Sequence, residues 1–563
     1  MLPRTHLIRI QRSMYDKLKE HASSMFGGLS PELKHYFKDY QRDFQRFTEL
    51  STKRQLLLEV LKAQIVFCGD YHTLSQSQRT VIRIMRDSVR VLKRKKRKII
   101  LALEMLTPEH NALAQRFLAG KLSEKEFLNR IGFQKNWGFA WENYRELFKF
   151  AKEYRIEIIG INHPHSSKKP SLKMRDQFAS KIISEISLLD PTAIIFVLIG
   201  DLHLAENHLP EEFRQVLKVK KAKRQTLVIH QNSEKLYWQL VDQGIEPFVD
   251  VVKIKKDIFC VMNTPPWVKL KSHLNWTELI AETGGMPPLE TAAQAFHEMD
   301  YCHEVQDLTA VIGKFLKITL PKLENFQIYG PLDLELLEIK PKNKNKGDDL
   351  RAASINSLNS KYAQVFKSYF IPQKNIIFLN SLSLNHVAVQ SSLYLFSTLS
   401  GFKDVFENPK RDFYRFIWVE ALGFLGAKVI NPKRKCNGYL DLKKALSQMK
   451  VNKGDENTES ARLALSHLDW EKRDGNTQSN TVFMFPTSVH KNVLYYKTAK
   501  ILGHLLGNSL YQSIVDMRIS CEEIRPLFYH EFRTSDEALK LYQDWTRRLD
   551  VFNYRESVKW GTL

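Results

Sequence analysis

Two short stretches carry the residues best equipped for chemistry. Gly69-Asp70-Tyr71-His72 follows the apolar run Ile65–Cys68, and Gly200-Asp201-Leu202-His203 follows the apolar run Ile194–Ile199. Glu104 closes a third run, Ile99–Leu103, while His163 and His165 close a fourth, Ile156–Ile161; Glu206 and His208 lie just beyond His203. Imidazole and carboxylate together can ligate a divalent transition metal with one position left open for water. The metal set available here is His72, Asp70, Glu104, His163, Asp201 and His203. A glutamate beside histidines can instead serve as a general base whose pKa is tuned by burial and neighbours. That reading gives the role of base to Glu104. Asp201 is explained equally well as a helix cap.

The elements that must position these groups follow from the same runs. Unbroken apolar runs read as strands buried on both faces, which is the habit of parallel sheets. In a parallel sheet the carboxyl ends share one edge, so groups roughly 30–60 residues apart, one βαβ unit or two, can converge there. Helices are expected over Gln76–Leu92, 108–130, Trp141–Tyr154 and Lys173–Leu189, with a further strand over Leu227–His230 and short apolar runs at Val249–Ile254 and Ile258–Met262. Residues 1–30 read as poorly ordered, with helical spacing from Pro31 to about Lys62. The expected architecture is an α/β domain over 63–275, a mainly parallel sheet with helices on both faces, preceded by a helical extension over 1–62. A small α/β segment is expected over 289–340, with helices at Leu289–Tyr301 and Leu308–Leu316 and strands at Phe326–Tyr329 and Leu332–Ile339. A charged linker, Lys340–Gly347, leads to a mainly helical domain over 349–563, with helices at 349–370, 381–399, 411–426, 440–449, 459–469, 488–513 and 535–550. In that half His386 and Glu420 could face a second site, although core or cap roles are the expected ones. Helix termination explains Asn431-Pro432, and an anion-binding turn is the alternative for Lys433–Lys435.

The chain has 563 residues, 43% of them hydrophobic and 26% charged, which is ordinary for a globular protein. No stretch approaches the ~18 consecutive apolar residues needed to span a bilayer. Five scattered cysteines without a C-x-x-C pair argue against a disulfide framework or a zinc ribbon. With no apolar leader or lipid-attachment cysteine near Met1, a cytoplasmic location is expected. A net charge of +23 invites an acidic partner. Yet the basic runs Lys93–Lys98 and Lys218–Arg224 precede strands, so they belong to solvated turns on the edge opposite the Gly-Asp-X-His loops.

GDYHTLSQSQR, ALEM, the stretch Asn136–Pro164, Met174–Ala179 and IGDLHLAENHLP, taken together and in this order, resemble the ChaN-like family, the haem-binding uptake branch of the Tiki/TraB/erythromycin-esterase superfamily. The resemblance covers residues ~60–230. It implies an α/β fold with its site at the carboxyl edge of the sheet, and a haem or other small-molecule ligand in iron handling. On that basis the cofactor-binding set is Tyr71, His72, His163, His203 and His208. Tyrosinate can hold ferric haem, which also brings in Tyr144, although a structural role on an amphipathic helix suits Tyr144 better. Related branches are hydrolases, some metal-dependent, whose motif positions fall on His72, Glu104 and His203. Asp70 stands where the family usually carries Glu, and uptake members are typically exported lipoproteins. Three functions are therefore expected in turn: a haem-binding protein, a hydrolase, or an interaction protein whose helical half docks an acidic partner while the site is vestigial.

Overall fold

The computed structural model describes residues 2–25, 30–164, 170–283, 302–320, 325–329, 366, 368–379, 383–404, 406, 408–448, 455–474, 483, 485–486 and 491–549. The chain divides into two compact units, one built on Tyr15–Ala292 and the other on Met1–Met14 with Ala293–Lys559. His165, the expected helix 289–301, the strand 332–339 and the linker 340–347 lie outside the described residues.

The first unit is organised by one eight-stranded sheet. Its strands are β1 (Glu49–Ser51), β2 (Ile65–Asp70), β3 (Ile99–Leu103), β4 (Glu157–Gly160), β5 (Ile194–Gly200), β6 (Thr226–Gln231), β7 (Val251–Lys255) and β8 (Ile258–Val261), in the order β1-β7-β8-β6-β2-β5-β3-β4. The segment from β8 to β4 is parallel throughout, and β7 and β1 close the other edge antiparallel. This is the mainly parallel α/β sheet that the apolar runs imply.

The pleat divides each strand between two cores. Val66, Cys68, Leu101, Leu103, Phe196 and Leu198 face a layer that includes Val81, Met85 and Val89 of helix Ser75–Arg94 and Leu147 and Phe148 of helix Trp141–Tyr154. Ile65, Phe67, Ile100, Ala102, Ile195 and Val197 face Ile183 of helix Leu172–Leu189 and Phe213 of helix Leu209–Val219. Both faces are covered, which is why β2, β3 and β5 are buried along their whole lengths.

The basic turns before β3 and β6 are largely exposed. Arg97, like Arg224, is half-buried. It turns inward and donates to the carbonyls of Leu61 (2.9 Å), Ala63 (2.7 Å) and Thr192 (2.9 Å), binding together the chain that enters β2 and β5.

Three expectations need correction. Residues 3–25 form a helix rather than a poorly ordered lead, because Leu7, Ile10, Tyr15 and Ala22 recur on its buried side. Helical spacing up to Lys62 is interrupted by β1, which pairs antiparallel with β7. In the second unit, Ser368–Ile371 (β10) and Ile376–Leu379 (β11) form a hairpin, to which Gln327–Tyr329 (β9) adds in parallel. The helical reading of 349–370 therefore fails at its end. Runs of four apolar residues are too short for periodicity to separate strand from helix.

The rest of the second unit is helical. Helix Phe413–Ile430 is buried at every position except Val419. Close approach explains its small residues: a Cβ on Gly426 would stand 2.4 Å from Ser392, and one on Gly507 of helix Asn492–Val515 would stand 2.3 Å from the Ala421 carbonyl.

Gly160 offers a test of how tightly β4 meets the loop after β3. A Cβ there would lie 2.2 Å from the Thr107 carbonyl oxygen and 2.4 Å from its carbon, backbone atoms that cannot rotate away. Gly160→Ala is expected to destabilise the chain by about 1–3 kcal/mol, read as a lowered midpoint in urea unfolding. A midpoint equal to that of the parent would contradict this packing.

Candidate functional site

The carboxyl edge of the sheet gathers ionisable groups because β5 lies between β2 and β3. Three strand ends therefore stand side by side: Asp70 with His72, Gly200 with His203, and Glu104. The helix Leu172–Leu189 brings Arg175 and Asp176 to the same place.

Glu104 is the centre. Its side chain is 5% exposed and lies 3.7 Å from His72 Nε2 through Oε2 and 3.7 Å from His203 Nε2 through Oε1. The Gly200 N–H donates to Oε2 at 2.7 Å, and the Arg175 guanidinium donates to Oε1. Each histidine is held from behind by an aspartate. His72 Nδ1 lies 2.9 Å from Asp70 Oδ2, and His203 Nδ1 lies 2.6 Å from Asp176 Oδ1. The array runs aspartate, histidine, glutamate, histidine, aspartate.

A further ring of donors fixes the aspartates. Tyr144 donates to Asp70 Oδ2 at 2.8 Å, and Gln78 donates to Oδ1. Tyr36 donates to Asp176 Oδ2 at 2.8 Å. Asp201 takes the hydroxyl of Tyr40 and lies 3.1 Å from His230 Nδ1. Asp201 thus makes no side-chain helix cap. Its carboxylate sits over Gly69, where a Cβ would fall 1.9 Å from Oδ1.

The other candidates lie apart. The His163 side chain places Nδ1 3.0 Å from the Pro164 carbonyl and its ring 5.0 Å from Phe178; it is Asn162 that reaches the cluster, through Arg175. His208 is buried, with Nε2 3.1 Å from Asp39 and its ring stacked on Tyr36 at 3.7 Å. Tyr71 turns toward the helix Pro266–Thr283, with Lys269 over its ring at 4.6 Å and His273 at 6.0 Å. Burial pushes its phenol well above the ordinary range, so tyrosinate is disfavoured.

The expected metal set is not assembled. Among the described residues no group of three or more His, Cys, Asp or Glu side chains is arranged to hold a metal ion. The physical reason lies in the partners: Asp70 and Asp201 are filled with protein donors, and Arg175 already supplies positive charge to Glu104.

His72 is the accessible member of the array. Its side chain is 21% exposed, against 7% for His203. Trp137 and Phe139 flank its ring, each with centroids at 4.7 Å, and Phe139 continues into a stack with Trp276 (4.8 Å) and His273. Sequence reasoning missed Arg175, Asp176, Tyr36, Tyr40 and His230. For the tyrosines the signal was Tyr36, Asp39, Tyr40 and Asp43 at helical spacing on helix Pro31–Asp43. For His230 it was one more apolar run ending in an imidazole, Leu227–His230.

The charges act on one another. Burial pulls the His72 imidazole down, but Asp70 and Glu104 outweigh it and its pKa rises above 6.5. Burial pushes Glu104 up, but Arg175, the two histidines and the Gly200 N–H outweigh it and hold the carboxyl at about 2. The His72 contribution to stability is therefore complete below about pH 6.5 and lost as pH rises through the raised value. The Glu104 contribution is complete above about pH 4.5 and lost as pH falls toward 2. In an NMR titration of the imidazoles, Glu104→Gln is expected to lower the His72 pKa. An unchanged value would remove Glu104 from its electrostatic surroundings.

Part of this unit is similar to known proteins. Residues 56–170 match the profile of the family described as "Haem-binding uptake, Tiki superfamily, ChaN". The match includes Asp70, His72, Glu104 and Tyr144 and ends before Arg175, Asp176 and His203. Two solved structures are similar. One is titled "Cofacial heme binding to ChaN of Campylobacter jejuni", with 14% identity over 37% of this chain and 91% of that one and a TM-score of 0.27. The other is titled "The structure of the type III effector HopBA1", with 15% identity over 33% of this chain and 88% of that one and a TM-score of 0.24. No curated protein matches. The likeness to the family described as haem-binding uptake, Tiki superfamily, ChaN, is thus carried by residues 56–170, about a fifth of this chain.

Proposed function

We propose that the first unit binds haem, or a related tetrapyrrole, at the carboxyl edge of its sheet through His72. The observation that carries this reading is the state of that imidazole. Asp70 fixes Nδ1, so that in the neutral ring the lone pair lies on Nε2, the arrangement in which second-shell carboxylates orient histidine ligands. The ring is also the exposed member of the array and stands between Trp137 and Phe139, apolar surfaces suited to a flat conjugated ligand. The donor set therefore fits a haem: imidazole nitrogen for the iron and aromatic rings for the macrocycle. Bound haem would supply the redox and ligand-binding chemistry of its iron. The chain's own residues orient His72, through Asp70 and Tyr144, and keep its charge balanced against Glu104. Among the described residues no helix is long and apolar enough to cross a membrane.

A second reading rests on the pairing of both imidazoles with one carboxylate. A hydrolase using this array would take His72 as its base, since Glu104, held at about 2, is a poor proton acceptor at neutral pH.

Titration of the full chain with hemin decides between them. A saturable Soret band is expected, lost or displaced in His72→Ala and retained in Tyr71→Phe. A spectrum in which His72→Ala matches the parent at saturating hemin would overturn the haem reading. Turnover of simple esters or amides by the parent, abolished in His72→Ala, would favour the hydrolase.

A further inference from the structure

The amino edge of the first unit's sheet, opposite the Glu104 cluster, is one continuous basic surface. The turns that enter β3, β4 and β6 follow the helices Ser75–Arg94, Trp141–Tyr154 and Leu209–Val219. Together with the turn that enters β5, they carry thirteen Lys and Arg against three Asp and Glu over 93–98, 152–157, 187–192 and 218–224. Hydrogen bonds join them. Arg97 ties the entries of β2 and β5 together. Gln64 Nε2 donates to the Pro191 carbonyl at 2.8 Å, and its Oε1 accepts from the Gln225 N–H at 3.0 Å. Arg224 donates to the Ser187 carbonyl at 2.8 Å.

Most of this charge has no counter-charge on the protein. Of the carboxylates, Glu157 pairs with Lys98 at 2.7 Å, and Asp190 accepts from the Thr192 hydroxyl at 2.7 Å. Lys95, Lys96, Arg155, Lys220, Lys221 and Lys223 are exposed, and among the described residues no carboxylate stands within ion-pair distance of them.

The backbone adds a second observation. Lys96, Arg155 and Lys221 have φ of 53°, 53° and 52°, the left-handed position past a helix end where glycine or asparagine is usual. Each is followed by an N–H that bonds five residues back: Arg97 to Leu92 at 3.0 Å, Ile156 to Ala151 at 2.8 Å and Ala222 to Leu217 at 2.9 Å. Lys317 of the second unit shares this conformation but pairs with Glu522 at 2.7 Å. The three tips on the amino edge keep a cation against backbone preference and leave it to solvent.

A third observation is apolar. Leu189 (86% exposed) and Val219 (80%) are the most exposed large hydrophobic side chains among the described residues, and both stand on this edge. They end the helices Leu172–Leu189 and Leu209–Val219, and Arg224 links the two ends through Ser187. Aliphatic tips among lysines match an anionic bilayer, whose headgroups meet the cations and whose acyl boundary takes the tips. A nucleic-acid backbone would satisfy the lysines and leave the tips in water.

We infer that this edge docks the protein on an anionic lipid surface. The carboxyl edge, with His72, then faces away from the bilayer, and the docking does not depend on what that edge binds. The acidic partner invited by the net charge of +23 is thus met on the first unit.

The test uses the full chain and vesicles of phosphatidylserine and phosphatidylcholine in equal parts, with vesicles of phosphatidylcholine alone beside them, read by co-sedimentation. Binding to the acidic vesicles that weakens with salt is expected, and little binding to the neutral ones. Each basic side chain at such a surface contributes roughly five-fold in affinity, so Lys96→Asn with Lys221→Asn should weaken binding about twenty-fold. Asparagine keeps the left-handed turn. Leu189→Ser with Val219→Ser leaves the charge unchanged and should weaken vesicle binding about ten-fold. Absence of binding to acidic vesicles, equal binding to neutral ones, or parent-like binding by either double variant would each overturn the inference. Capture of duplex DNA without capture of acidic vesicles would overturn it in favour of nucleic acid. Circular dichroism checks each variant's fold; should the asparagine pair fail to fold, the serine pair decides.

Discussion

A carboxylate taken out of water must be met by charge and hydrogen bonds, or it will not stay ionised. Glu104 is that carboxylate, and the carboxyl edge of the sheet is built to satisfy it. A backbone N–H from β5, a guanidinium from the helix after β4 and two imidazoles from separate strand ends all turn toward one side chain. These groups come from three separate parts of the chain. The constraint therefore ties β2, β3, β5 and the helix Leu172–Leu189 together at their functional ends, while the apolar faces tie them together along their lengths.

The histidines inherit their order from the same constraint. Against its burial, His72 is drawn toward its charged form by Asp70 and Glu104, and an aspartate behind each ring prevents it from swinging away. Tyr144, Gln78 and Tyr36 then fix the aspartates, so the outer hydrogen bonds hold the inner geometry. Steric space is part of the design. Gly69 carries no Cβ because the Asp201 carboxylate occupies that volume, and a Cβ on Gly200 would press on His72 Nε2 at 3.3 Å. The Gly-Asp-X-His repetition thus serves close nesting of two loops as much as chemistry. In it the two aspartates do different work: Asp70 backs a histidine of the array, while Asp201 joins Tyr40 to His230.

The second unit follows another logic. Its central helix is buried on nearly every side, so the neighbouring helices approach through glycine, alanine and serine. Where the aromatic residues of the hairpin and helices fail to close on one another, a cavity with a charged end remains.

Much of the first unit was legible in the residues alone. Continuous apolar runs must be buried on both faces, and burial on both faces means a parallel sheet whose carboxyl ends share one edge. That argument placed Asp70, His72, Glu104 and His203 together before any pairing was known. It could not decide which groups touch. The pairing of His203 with Asp176, of Glu104 with Arg175 and of Asp201 with Tyr40 joins residues far apart in sequence, and only packing settles such contacts. The same limit applied to His163, which has the right type and position at a strand end yet is held by its own loop. It applied again to β10, whose short run Tyr369–Ile371 fits a helix and a strand equally well until the hairpin pairs it with β11. Sequence by itself determined the sheet, its direction and the edge at which chemistry could gather, because those follow from the burial of local runs. Tertiary structure alone decided the partners of each charge, because the free energy of a buried ion depends on what surrounds it in space.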